Sequence, residues 1–356
     1  MSKKTVVIKA TFSVAFFFVL FSVIREKEFA SIFYQIDPFF FTLCLLLPIV
    51  MIPSSCLKWK ILLEQQGKRV NFLFLLKAYL IGYFFSNLMP SNVGGDVVRS
   101  YYIGRHIGSQ SQAAVSVFIE RFTGIFLLLV LAILAPLMKL ELYKNLLVIL
   151  PACGAFTLLI AIAWIWKIKE PLKFPDKITR TVFYLIRKTN RALRINTLNK
   201  MVDQMERYYG KVFCQAESFH EKLLLSVSYI RSNRLSLLSV AALTVFFYSM
   251  TWVNVYMAFR AFGVEVDFIE ISALIPTSMV VAMIPVTLLG NLGFTESVYI
   301  AFFSLIGVSS SAILFMGLLL RLKLFVIGIV GYFFYLMYRH KQLDIAELER
   351  LSGEKT

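Results

Sequence analysis

Apolar runs fill residues 5–24, 39–57, 70–89, 112–136, 145–166, 236–260, 269–289, 295–307 and 311–338, and they limit this chain to few architectures. Most of them approach or exceed the roughly 20 helical residues that cross a hydrocarbon core. The chain is 58% hydrophobic with 34 Phe and a mean hydropathy of +0.74, above the roughly 45–50% apolar content of soluble domains. The expected class is therefore an all-α polytopic integral membrane protein, a single membrane domain over 1–356. Four scattered cysteines and three distant histidines form neither a disulfide framework nor a ligand cluster, so no metal, cofactor or catalytic residue is expected. The net charge of +16 fits cytoplasmic loops facing anionic lipid better than it fits nucleic acid.

Charge placement sets the expected topology. The first run follows Lys3 and Lys4 and ends in "IREKEF" with no small-x-small cleavage site, so it reads as a retained span. Residues 167–235 carry 15 Lys or Arg against 6 Asp or Glu, mixed with apolar positions at helical spacing. They read as a basic, amphipathic cytoplasmic region, with a small soluble helical hairpin as the alternative. The basic N-terminus, the 58–69 segment with Lys58, Lys60, Lys68 and Arg69, and the Arg339–Lys341 tail are also expected inside. With 5–24 and 39–57 as one round trip and 112–136 and 145–166 as another, the chain crosses an even number of times between 58 and 112.

The stretch "MPSNVGGD" interrupts that interval with helix breakers, so a re-entrant hairpin over 70–108 is expected. "IPVTLLGNLGFTES" does the same within 269–307. Irregular backbone survives at membrane depth only when protein or a watery cavity surrounds it. Shifting the chain by 200 residues lays Asp96 on Glu296 and Arg121 on Arg321 without a gap. Three crossings separate the two units, so 39–136 and 236–338 are expected to form an inverted repeat, about six full spans plus two hairpins. Inverted repeats with broken helices meeting near the midplane are typical of secondary transporters.

Candidate site residues cluster at these breaks. Asn92, Gly94, Gly95, Asp96 and Arg99 surround the first, at a helix N-terminus of the kind that attracts anions. Asp96 reads as an N-terminal cap or as a proton-coupling carboxylate, and Arg99 as a fork for a phosphodiester. Asn291, Gly293 and Glu296 surround the second, with Gly290 allowing the break and Thr295 as its cap. Glu120 and Arg121 lie deep in 112–136, and Arg321 and Lys323 in 311–338, where a charge is unfavourable unless it has a role. Adjacent residues point about 100° apart on a helix, so Glu120 and Arg121 are not expected to face one cavity directly.

"NLMPSNVGGDVVRSYYIGR" followed by "AAVSVFIERFTGIF" resembles the first signature of the lysylphosphatidylglycerol synthase transmembrane-domain family, the flippase-like domain proteins. "IPVTLLGNLGFTESVYIAFFSLIGVS" is similar to the second signature, departing at Thr295 where the family has arginine, so the headgroup is not carried over to that site. The resemblance covers about residues 39–336. It implies a stand-alone member without the aminoacyl-transfer domain that the family's lipid synthases carry. Such members are implied to move phospholipids, hopanoids or polyprenyl-phosphate lipids. The expected function is a flippase for an anionic lipid in the cytoplasmic (inner) membrane of a prokaryote, both termini cytoplasmic, with membrane lipids as partners and no nucleic acid. A membrane-embedded transferase acting on a lipid-linked donor, or an accessory subunit, is the alternative. Against the transferase, the sequence holds no nucleotide-binding loop and no nucleophile beside a base. A partner enzyme or a homo-oligomer has no signature of its own in the sequence.

Overall fold

A computed structural model describes residues 35–89, 93–167, 176, 179, 181–187, 196–284, 286 and 291–352. The expected first span at 5–24, the "PSN" of the first break with Asn92, Gly290 of the second break, and parts of 167–195 lie outside the described residues. The long described elements are all helical: α1 (Pro38–Leu46), α2 (Pro48–Gln65), α3 (Phe72–Leu88), α4 (Gly94–Ile107), α5 (Gln110–Leu134), α6 (Leu146–Lys167), α7 (Asn196–Ser232), α8 (Arg234–Arg260), α9 (Phe268–Ala282), α10 (Phe294–Phe303) and α11 (Ser310–Ser352). Short polar side chains start several of them by accepting otherwise unsatisfied backbone N–H groups. Asp37 takes Phe39 N at 2.8 Å, Asn71 takes Leu73 N at 2.8 Å, Asn233 takes Ser236 N at 3.2 Å and Asp267 takes Ile269 N at 3.0 Å.

Among the described residues, five segments are long and apolar enough to cross a bilayer: Pro38–Gln65, Gln110–Lys144, Leu146–Trp164, Arg234–Arg260 and Ser310–Tyr338. This is a membrane protein. The arms flanking the two breaks are shorter. At 17 and 14 residues, α3 and α4 reach about 26 and 21 Å, against a hydrocarbon core of about 30 Å. The arms of the second break, Phe268–Ala282 and Phe294–Ile306, also fall short of it.

The first pair is an antiparallel hairpin in close register. The rings of Phe74 and His106 lie 4.5 Å apart near its open end. Near the break a Cβ on Gly95 would sit 2.1 Å from both the Gly82 carbonyl oxygen and Ser86 Oγ. Glycine is required there because two backbones touch.

Of four buried apolar clusters among the described residues, the two largest each borrow from the other half of the chain, the one around Phe259 taking in Cys44, Leu142 and Val148. One packs Ile52, Trp59, Leu63, Leu75, Tyr79, Ile103 and Val117 with Ile327 of α11. The other joins Phe259, Ile271, Leu274, Phe303, Ile313 and Met316. The first hairpin's α3 lies along α11, where Gly331 lets Leu80 O approach to 2.0 Å of where a Cβ would stand. Asn87 Nδ2 donates to Leu324 O at 2.7 Å in the same seam. Reciprocally, α9 packs on α5 and the 3₁₀ segment Ala135–Lys144, with Thr277 Oγ1 donating to Ala132 O at 3.3 Å. The amphipathic helix α7 lays Phe219, Leu223 and Val227 against Leu62, Val115, Ile119 and Val240.

One boundary differs from the expectation. Residues 58–69 do not begin as a cytoplasmic loop: α2 continues to Gln65 and buries Lys58, Trp59, Leu62 and Leu63. The reason is periodicity, since Met51, Ser55, Lys58 and Leu62 share one helical face, which is turned to protein throughout.

Candidate functional site: two acid–arginine clusters at the chain breaks

The first cluster joins three helices. From α4, Asp96 and Arg99 stand one turn apart, and Arg99 Nε donates to Asp96 Oδ1 at 3.0 Å. Arg99 Nη2 donates to Glu120 Oε2 of α5 at 2.6 Å, while Arg121 Nε donates to Asp96 Oδ2 at 2.9 Å. Lys58 of α2 completes it, with Nζ 3.3 Å from Glu120 Oε1 and donating to Glu120 O at 3.1 Å. Glu120 and Arg121 do diverge, as helical geometry requires, yet both enter one network because the facing Asp96–Arg99 pair spans the gap between them.

Two aromatic faces hold the central guanidinium, Trp59 at 4.9 Å and Tyr79 at 4.6 Å from Arg99 Cζ. Such planar stacking suits arginine and adds an attraction that strengthens away from water. Arg99 is 2% exposed. A cavity of only about 10 Å³ remains among Tyr79, Gly82, Tyr83, Ser86, Gly95, Asp96, Arg99 and Arg121.

The second cluster is simpler. Glu296 Oε1 accepts from Arg321 Nε at 3.1 Å and Nη2 at 2.8 Å, and Glu296 Oε2 accepts from Gly293 N at 2.8 Å. Gly293 (φ +84°) takes a backbone conformation that side chains rarely adopt, and Asn291 (φ +62°) sits beside it in the left-handed region. Asn291 Nδ2 donates to Ala282 O at 2.9 Å and Ile284 O at 2.6 Å, so the second break is fastened to the end of α9. The Glu296–Arg321 pair opens on a chamber of about 290 Å³ lined also by Met279, Met283, Thr295, Tyr299 and Leu324. The spacing seen in the sequence is realised as contact: in both halves an acid at a break pairs with the arginine 25 residues later.

Several expected roles change. Asp96 caps no helix: Val93 stands at the cap of α4 without a side-chain bond, and Asp96, inside the first turn, serves the arginines. Gly94 and Gly95 face Met89 and Gly82, so close packing occupies that helix start. At the second break the reciprocal bond comes from Glu296 rather than Thr295, whose hydroxyl donates to Asn291 O at 3.2 Å. Lys323 stays out of the Arg321 cluster and donates to Asn254 Oδ1 of α8.

Sequence reasoning missed Lys58, Trp59 and Tyr79, which join the first cluster, and Asn254, the partner of Lys323. Lys58 was hidden among neighbouring basic residues although it lies on the buried face, and Asn254 is a polar side chain in the middle of an apolar span.

Crossing helices, short apolar arms and buried ionic clusters at the chain breaks define a multi-pass helical membrane protein. Over residues 6–331 the chain matches the family described as Lysylphosphatidylglycerol synthase TM region, and it belongs to that family. It is 25% identical over 288 residues to the UPF0104 membrane protein PH1989 of Pyrococcus horikoshii, covering 80% of this chain and 82% of the relative. It is 23% identical over 295 residues to a UPF0104 membrane protein of Methanothermobacter thermautotrophicus, covering 81% and 82%. No solved structure matches it.

Proposed function

We propose that this protein is a lipid flippase, moving an anionic phospholipid or polyprenyl-phosphate-type lipid across the cytoplasmic membrane of a prokaryote, and that it is not an enzyme. The carrying observation is the doubled cluster: a broken hairpin in each half brings a carboxylate onto an arginine of the following long helix. Charges at membrane depth are kept where they line a path or hold a ligand. Both hairpins have arms too short to cross, and each is seated on the other half's long helix. That arrangement supports two re-entrant units of opposite orientation, with both termini inside and the basic 167–235 region cytoplasmic. The arginines of the two clusters hold the headgroup phosphate in turn, the carboxylates balance them, and the acyl chains stay in lipid.

The test is dithionite quenching of acyl-labelled lipids in proteoliposomes. Purified protein is expected to expose inner-leaflet label of an anionic lipid, and Arg121→Ala and Arg321→Ala to abolish this while the protein remains folded. Absence of movement for every anionic lipid, together with product from a glycosyl or aminoacyl donor, would instead identify a transferase.

A further inference from the structure

The two clusters are not equivalent. In the first, Lys58, Arg99 and Arg121 face Asp96 and Glu120: among the described residues, three cations against two carboxylates leave one positive charge in excess. In the second, among the described residues, Glu296 pairs with Arg321, one charge of each sign. They also differ in space, about 10 Å³ in the first against about 290 Å³ in the second. Finally, Nη1 of Arg99, buried in the wall of the first cavity, has no hydrogen-bond partner among the described residues. Buried charge and buried guanidinium N–H groups are stable only when they are answered by an opposite charge and an acceptor. An excess positive charge in the cluster and an unanswered donor in the cavity wall call for the same thing, a single anionic oxygen-rich group.

We infer that the first cluster is the closed form of a receptor for one phosphodiester-type negative charge, and that Lys58 sets its preference for anions by holding one cation in excess. Lys58 makes no contact with the cavity and acts through Glu120, whose carboxylate it shares with Arg99. With Lys58 present, Glu120 is engaged from two sides, which leaves Arg99 and Arg121 underneutralised by Asp96 alone. The second cluster, balanced within its own pair, contributes little discrimination by charge. The two are contiguous, since Ser86 lines the first cavity and its neighbour Asn87 bonds Leu324, which lines the second. The inference rests on the lipid-transport reading for the source of that phosphodiester.

The experiment compares acyl-labelled phosphatidylglycerol, a monoanion, with acyl-labelled zwitterionic phosphatidylethanolamine in phosphatidylcholine vesicles holding the full chain. The readout is the ratio of their initial transport rates. The wild type is expected to favour phosphatidylglycerol, and Lys58→Gln to lower the ratio about tenfold, the scale of losing one partly desolvated charge. Lys58→Arg restores the ratio, and Lys60→Gln, which removes an equal charge from an ion pair on the same helix outside the cluster, leaves it unchanged. An unchanged ratio in folded Lys58→Gln protein overturns the inference.

Should that variant fail to fold, Glu120→Gln decides: it raises the excess to two and must increase the ratio, and a fall would be contrary. Lys58-dependent uptake of radiolabelled inorganic phosphate into the same vesicles would overturn a lipid headgroup as the source. If the wild type moves neither lipid, the transport reading fails. Binding of the same labelled phosphatidylglycerol in detergent then still decides the charge preference.

Discussion

Arg121 and Arg321 occupy matching positions, yet their removal should not have matching effects. Arg321 and Glu296 are both buried, and deleting the arginine strands a carboxylate that, among the described residues, keeps only the Gly293 N–H. Breaking a buried pair from one side commonly costs about 3 kcal/mol or more. Arg121 has a half-exposed side chain, and its partner Asp96 keeps Arg99 after Arg121 is gone. The loss there is nearer about 1 kcal/mol. Thermal unfolding in detergent should therefore place Arg321→Ala well below Arg121→Ala, and equal melting temperatures would show that the two pairs are equally exposed to solvent or lipid. The matching positions of Asp96 and Glu296, and of Arg121 and Arg321, were legible in the sequence through the 200-residue offset, whereas the contact of each acid with its arginine emerges only in the structure. Lys58 and the Trp59–Tyr79 sandwich were not, because they depend on how α2 is rotated against α3, a matter of packing between elements.

Among elements, the hairpins depend on glycines that no side chain can replace. Gly95→Ala would force its Cβ against Gly82 O and Ser86 Oγ, and Gly331→Ala would force its own against Leu80 O. Overpacking of this kind typically costs about 1–3 kcal/mol, and backbone atoms cannot turn aside as a flexible side chain can. Gly154→Ala, with nothing within 4 Å, should instead raise stability by roughly 0.5–1 kcal/mol through helix propensity. Melting curves of the three variants test this directly, and a destabilised Gly154→Ala would contradict the open space around it.

The crossing helices were readable from apolar length, whereas the caps that start several helices, Asp37, Asn71, Asn233 and Asp267, emerge only in the structure. The end of the second helix was not. Lys58 and Lys60 look like the start of a basic loop, whereas Trp59, Leu62 and Leu63 extend the buried face beyond the apolar run.

At the level of the whole molecule, the halves depend on each other for their folding. α3 packs on α11 and α9 on α5, so a chain ending near residue 232 leaves the first hairpin without its seat. Fragments 1–232 and 233–356 expressed singly should aggregate, and expressed together they should copurify. A stable, monodisperse 1–232 fragment would show the first half to be self-sufficient.

The native cysteines give a second test. Cys44 and Cys56 are wholly buried and Cys153 lies within a crossing helix, while Cys214 is exposed on α7. A membrane-impermeant maleimide should label the protein at Cys214 after the cell envelope is opened, and labelling in intact cells would put the basic region on the outer side.

The seam between α3 and α11 also has a mechanical consequence. Leu80, Phe84 and Asn87 meet Leu324, Gly328 and Gly331 at close backbone approach, so the two rods are expected to move as one beam. That beam carries Tyr83 and Ser86 on one side and Arg321 on the other. Tilting it to unseal one compartment must tip the wall of its neighbour, as the ends of a seesaw rise and fall together.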